Sequence, residues 1–349
     1  MFFKNTKISS ANNFDFLRFV FARTVVCAHI VVLAQQQRLM WLRPFFDTYI
    51  AICGFFVISG FLVTKSFMSS RDTGVYFLKR AKRLLPAYTC VIVLCVLLLS
   101  LVSTLPPAAY FTDIRTLKYL LANMTFMNFL HPTLPGVFTH HEVPAVDGAL
   151  WTIKVEVGFY ILLPFVVYFT NKLNSFKRGL AFLVVLYAAS VLFRQLFIYL
   201  GTQNGNPLLI ELSHQLPAFL SYFLSGAILF VCYSFFLRHK QVIFWIALSV
   251  FLIERYFDWE VLRPMALACM VVYVAFSFPF LNKFGKYGDV SYGIYIFHFP
   301  IVQVLIYLGF YDEHPYAAFF STLIGVCGVG LLSWHLVEKR FLSRKRRHV

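Results

Sequence analysis

Charge is scarce in this chain: 13% of its 349 residues are Asp, Glu, Lys or Arg, and the acidic ones number 15 against 31 basic. With 60% hydrophobic residues, 19% aromatic residues and a mean hydropathy of +0.72, that scarcity excludes a soluble globular domain. Also missing is any polar stretch long enough to fold as a separate soluble module, and no internal repeat suggests the inverted symmetry common in transporters. A cleavable leader is not expected either, because the first apolar segment is too long, is interrupted by charge and lacks a small-residue cleavage site. The seven cysteines (Cys27, Cys53, Cys90, Cys95, Cys232, Cys269, Cys327) all fall in apolar stretches, where thiols serve as small packing groups, so neither a disulfide nor a metal cluster is expected.

What is present is a series of apolar segments near the roughly 20 residues a helical span needs. About ten can be placed, over 14–34, 46–68, 84–105, 149–170, 179–200, 215–237, 242–257, 264–281, 291–311 and 317–337, which predicts an all-α transmembrane bundle. Lys and Arg alternate with these segments. With both termini cytoplasmic, 20 fall on the inner side and five on the outer, as the positive-inside bias requires. The net charge of +16 is spread over every inner segment, so topology and attraction to anionic lipid explain it, and nucleic acid is not expected as a partner. A cytoplasmic arm (1–13), a membrane domain (14–337) and a basic cytoplasmic tail (338–349) result, with one long outer loop, 106–148, whose Pro, Gly and aromatic content suggests packing on the outer mouth.

The segment FDFLRFVFARTVVCAHIVVLA (14–34) carries Asp15, Arg18, Arg23 and His29. Ionisable groups inside a span cost about 2.5 to 3.5 kcal/mol each on insertion scales, so they tend to face a cavity and mark function. Arg18 and His29 are eleven residues apart, which returns them to within roughly 20° of one helix face and separates them by about 16 Å along the axis. Asp15 neighbours Arg18 at i, i+3, whereas Arg23 points elsewhere and pairs separately or snorkels. In ALWTIKVEVGFYILLPF, Trp151 suits the outer interface and Glu156 lies about 7 to 8 Å deeper, at a depth where it could meet and orient His29. Arg80 and Arg83, in the inner loop YFLKRAKRLLPAY, share a face at i, i+3; they suit a phosphate and equally satisfy the positive-inside bias.

Other polar residues invite weaker readings. His298, seven residues into the ninth segment, either serves the donor site or packs with Tyr295. His140, His141, Glu142 and Asp147 in the outer loop have metal-capable side chains, but their spacing fits no standard zinc site; acceptor contact is the alternative. Arg194 could reach an anionic acceptor or snorkel, and Glu254 and Arg255 read as a polar outer helix end.

Together these segments resemble the acyltransferase-3 family of integral membrane acyltransferases that modify bacterial surface glycans. FDFLRFVFARTVVCAHIVV is similar to its first-span signature through Asp15, Arg18 and His29; GFFVISGFLVTKSF to its second span through Ser59 and Gly60; and FLKRAKRLLPAY to its R-x-x-R segment through Arg80 and Arg83. LWTIKVEVGFYILLPF resembles a further segment through Trp151, Glu156 and Tyr160, and VSYGIYIFHFPI and VEKRF resemble its last two. Val157 and Gly158 stand where members often have acidic residues or Gln, and Lys154 precedes Glu156.

The resemblance implies an acyl-CoA donor, usually acetyl-CoA, from the cytoplasm and a hydroxyl acceptor on an extracytoplasmic or lipid-linked saccharide. It implies that Arg18, Arg80 and Arg83 serve the donor and that His29 is catalytic, with no permanently bound cofactor, in the cell (inner) membrane. Some members carry a C-terminal esterase-like domain; this chain ends twelve residues after its last span, so transfer is expected to finish in the membrane domain or on a separate glycan-assembly protein. The rival functions are a glycan-lipid transporter or flippase and a non-catalytic polysaccharide-export subunit.

Overall fold

A computed structural model of the protein describes residues 8, 9 and 11–342, so most of the N-terminal arm and the tail from 343 on lie outside the described residues. Among the described residues every regular element is a helix: α1 (Phe14–Ala34), α2 (Thr48–Met68), α3 (Thr73–Leu98), α4 (Pro107–Thr112), α5 (Ile114–Met124), α6 (Trp151–Lys172), α7 (Phe176–Asn204), α8 (Pro207–Leu212), α9 (Leu216–Val231), α10 (Tyr233–Tyr256), α11 (Arg263–Ser277), α12 (Ser291–Tyr307), α13 (Pro315–Ser333) and α14 (Lys339–Phe341), with short 3-10 turns and one π-helical turn, Trp334–Glu338. Eight helical segments among the described residues are long and apolar enough to cross a membrane, and nine if α11 and the turns after Pro279, bent by 78°, count as one. The 17-residue α12, expected as a full span, is shorter than these.

Three elements depart from the sequence expectation for local reasons. Hydropathy predicts the third span from residue 84, but α3 begins eleven residues earlier, because the Asp72 carboxylate accepts from Val75 N at 2.8 Å and starts the helix in polar sequence. Arg80 and Arg83 therefore lie on a helix, not in a loop. The long outer loop contains α4 and α5, each started by Pro107 or by Asp113, whose side chain accepts from Arg115 N at 2.8 Å. Helices α9 and α10 break at Cys232, with a further kink at His239, instead of in the polar stretch around Arg238.

Contacts divide the chain into two compact units. The first comprises residues up to 17, 52–77 and 155–284; the second comprises 18–51, 78–154 and 285 onward. In the first, α9 packs against α7 and α11, and α11 against α10. Helices α2 and α9 approach backbone to backbone: a Cβ on Gly60 would stand 1.9 Å from the Phe223 carbonyl oxygen, and one on Gly226 would stand 2.1 Å from that of Val57. Asn13 closes the end of α11, its backbone N–H donating to Ala275 O at 2.9 Å and its Nδ2 to Val274 O and Phe278 O.

In the second unit α12 packs on α13 through Gly293, facing Ser333, and Gly330, facing Ile294. The irregular segment before Trp151 is tied to α12 by Gln303, whose Nε2 donates to Val143 O at 2.6 Å and Ala145 O at 2.8 Å.

Candidate active site

The second unit holds two clusters. In the first, one carboxylate oxygen joins two of the arginines expected at the donor site: Asp289 Oδ2 accepts from Arg18 Nη1 at 2.8 Å and from Arg83 Nη2 at 2.6 Å. Arg83 Nη1 continues to Glu338 Oε2 at 3.2 Å, and Glu338 Oε1 accepts from Ser333 Oγ at 3.0 Å. The π-helical turn presents Glu338, and the close α12–α13 contact positions Ser333. Arg83 also lies over the Tyr292 ring, 5.7 Å from its centroid, and Tyr292 Oη donates to Leu84 O at 3.0 Å.

Asp289 also accepts from Ser291 N at 3.2 Å and from Ser291 Oγ, which anchors it at the start of α12. Burial alone would raise its pKa, but Arg83 and Arg18, helped by the Ser291 bonds, hold it down at about 2. Both guanidinium groups keep part of their surface exposed, so two fixed cations border solvent with their charge partly offset from behind.

The second cluster is built on His29 of α1. Its Nδ1 lies 2.7 Å from His298 Nε2, and His298 Nδ1 lies 2.6 Å from Tyr295 O. The two imidazoles are nearly coplanar, at 7°, and the Phe299 ring stands edge-on to His29 at 5.3 Å. Gly148 leaves room for that phenyl ring, since a Cβ there would be 2.7 Å from it. Tyr295 Oη shares a hydrogen bond with Thr152 Oγ1 at 2.7 Å, next to the half-buried Trp151. His298 is fully buried and its ring also packs with Tyr295, centroid to centroid at 6.0 Å.

In the first unit, three residues singled out in the sequence come together. Glu156 accepts from Ser59 Oγ at 3.4 Å and from Tyr160 Oη, one helical turn along α6. Gly60, adjacent to Ser59, fixes that serine by the α2–α9 contact. Asp15 lies in the first turn of α1, where a negative charge complements the helix dipole.

Other expectations are corrected. Arg194 neither snorkels nor faces outward: it is buried, with Nε on Glu260 Oε2 at 2.8 Å, Nη1 on Ser213 O at 2.7 Å and its guanidinium over Phe219. Glu254 does lie in the last turn of α10, but its carboxylate is buried and accepts from Leu262 N at 2.8 Å and from Arg263 N, capping α11. Arg23 is exposed and lies over Phe19 at 5.8 Å. His141 bonds Gln303 Oε1 through Nδ1 at 2.8 Å and stacks on Phe138, while His140 and Glu142 are exposed. Asp147 is buried, with Oδ1 accepting from Ala149 N at 2.9 Å and no hydrogen-bond partner for Oδ2 among the described residues, and burial pushes its pKa up to about 8. Among the described residues no group of three or more His, Cys, Asp or Glu side chains is placed to hold a metal ion.

Sequence reasoning missed Asp289, the hub of the basic cluster, and gave Glu338 no role. The available signal was local: with so few acidic residues in the chain, one placed just after Lys283 and Lys286 at the head of a buried helix calls for a partner.

The chain is similar to curated proteins over most of its length. An O-acetyl transferase of Shigella phage Sf6 is 27% identical over 356 residues, covering 96% of this chain and 97% of that protein. Nodulation protein 10 of Rhizobium leguminosarum bv. viciae is 27% identical over 357 residues, covering 94% and 92%. No solved structure matches. A family model described as an acyltransferase domain matches residues 12–337, nearly the whole helical bundle, and the protein therefore belongs to the acyltransferase-3 family of multi-pass membrane acyltransferases.

Proposed function

We propose that the protein transfers an acyl group, acetyl in the simplest case, from cytoplasmic acyl-CoA to a hydroxyl of an extracytoplasmic or lipid-linked saccharide in the cell (inner) membrane. The observation that carries this reading is the layout of α1 in the second unit. Arg18, joined to Arg83 through Asp289, lies eleven residues from His29, about 16 Å along the axis. A donor with phosphates at one end and a thioester on a long arm matches such a layout. The name of the phage relative, an O-acetyl transferase, supports oxygen as the accepting atom.

In this reading Arg18, Arg80 and Arg83 bind the CoA phosphates. His29 accepts the proton of the acceptor hydroxyl as its oxygen attacks the thioester carbonyl carbon; the C–S bond then breaks, and the departing thiolate recovers that proton to leave as CoA. Glu156, whose carboxylate accepts from Ser59 and Tyr160, is the second residue assigned to the reaction in this reading, expected from its sequence position to orient His29.

Purified protein in nanodiscs, given labelled acetyl-CoA and surface-glycan extract, is expected to transfer label to glycan, and His29→Ala to transfer none while inserting normally. A His29→Ala protein of normal activity would overturn the assignment. Arg80→Ala is expected to weaken acyl-CoA binding; unchanged affinity would remove its donor role. Movement of unlabelled glycan across vesicles without label transfer would favour a transporter instead.

A further inference from the structure

We propose that His298 is a positioning residue that holds His29 as its Nδ1–H tautomer and so leaves His29 Nε2 as the basic atom. This rests on the reading of His29 as the base. The Tyr295 carbonyl oxygen can only accept, and it lies 2.6 Å from His298 Nδ1. At that distance the nitrogen carries the hydrogen, since two lone pairs would repel. A neutral imidazole has one N–H, so His298 Nε2 bears a lone pair. Its neighbour at 2.7 Å, His29 Nδ1, must then supply the hydrogen between them. The single proton of neutral His29 is thereby placed on Nδ1, and its Nε2 is the lone-pair nitrogen.

The ring geometry fits a hydrogen bond and not a stack. The centroids are 5.0 Å apart and the nitrogens 2.7 Å, which leaves just the two ring radii between them. With an interplanar angle of 7°, the imidazoles meet edge to edge in one plane, along the direction of the Nδ1–H bond. His298 is itself immobile. It is fully buried, it is anchored to its own helix, and α12 is locked to α13 by the Gly293 and Gly330 contacts. An otherwise inert core histidine thus dictates which nitrogen of a neighbouring histidine is available for chemistry.

The test separates tautomer from fold. His298→Gln places an amide oxygen where Nε2 stood, able to accept from His29 Nδ1–H; His298→Leu removes the acceptor. We expect His298→Leu to lose about a hundredfold in kcat with little change in KM for acetyl-CoA, and His298→Gln to stay within about tenfold of wild type. In the 15N spectrum of histidine-labelled wild-type protein in nanodiscs, assigned by difference from His29→Ala, His29 should show a protonated Nδ1 and a bare Nε2. A His29 protonated at Nε2 would overturn the proposal, as would a His298→Leu protein with wild-type kcat. If His298→Leu does not fold, the wild-type spectrum and His298→Gln still decide. Full activity in His29→Ala would instead refute the base assignment, leaving the tautomer measured in its own right.

Discussion

Replacing Asp289 by Asn keeps the shape of the hub between Arg18 and Arg83 and removes its charge. Arg83 and Arg18 outweigh burial and bring the Asp289 pKa from 3.8 to about 2, which at 1.36 kcal/mol per unit corresponds to roughly 2 kcal/mol of net attraction. Because this carboxyl is depressed in the folded protein, that contribution is present above about pH 4 and is lost as pH falls towards 2. An incoming phosphate must share the same two guanidinium groups, so their attraction to Asp289 opposes donor binding. Both arginines keep about a quarter or a fifth of their surface exposed, and solvent screening reduces the opposing term to roughly half. Asp289→Asn is therefore expected to bind CoA about fivefold to tenfold more tightly at low salt, with the gain shrinking at high ionic strength. It should also unfold at a somewhat lower temperature. Calorimetric titration of CoA into nanodisc-embedded protein at two salt concentrations measures this. A folded Asn variant that binds CoA more weakly than wild type would refute the idea that the carboxylate competes with phosphate, and would make it a scaffold instead.

Three further outcomes follow from other parts of the bundle. Asp147 holds its proton to about pH 8 when folded but releases it near 3.8 when unfolded, so stability falls as pH rises between those values; Asp147→Asn should melt higher than wild type at pH 7.5, with the gap closing near pH 4, and equal midpoints at both pH values would contradict it. Gly60→Ala forces a methyl against the Phe223 carbonyl and should cost about 1 to 3 kcal/mol or prevent assembly, read as loss of monodisperse protein in detergent. Arg194→Met removes the ion pair of the buried Glu260 carboxylate, whose Oε1 accepts from Tyr222 Oη, and should cost about 3 to 5 kcal/mol; adding Glu260→Gln should restore much of the loss in a thermal melt, and no recovery would show that the arginine acts by packing alone.

The parts of this molecule legible in sequence are those set by one helix. Arg18 and His29 fall on a common stripe because eleven residues nearly complete three turns, and Glu156 and Tyr160 meet because they are four apart. The first apolar segment matches α1 residue for residue. What was illegible depends on distant partners. Asp289 lies 271 residues from Arg18, and His298 lies 269 from His29, so no local pattern announces either pairing. Arg194 looked like a snorkelling residue for the same reason, its carboxylate being 66 residues away. The third span starts earlier than hydropathy alone predicts because the polar turn after Asp72 is helical, its carboxylate accepting from Val75 N.

The close approach of α2 and α9 also bears on how the protein is made. Gly60 and Phe223 are 163 residues apart in the chain. At synthesis rates of about 5 to 20 residues per second, α2 enters the membrane some 8 to 33 s before its partner exists. For that interval the glycine-bearing face of α2 is without its native partner, and a surface built for backbone contact must be kept from competing helices. The bundle's second helix is thus a candidate client for membrane chaperones, and slowing translation between α2 and α9 would prolong its exposure.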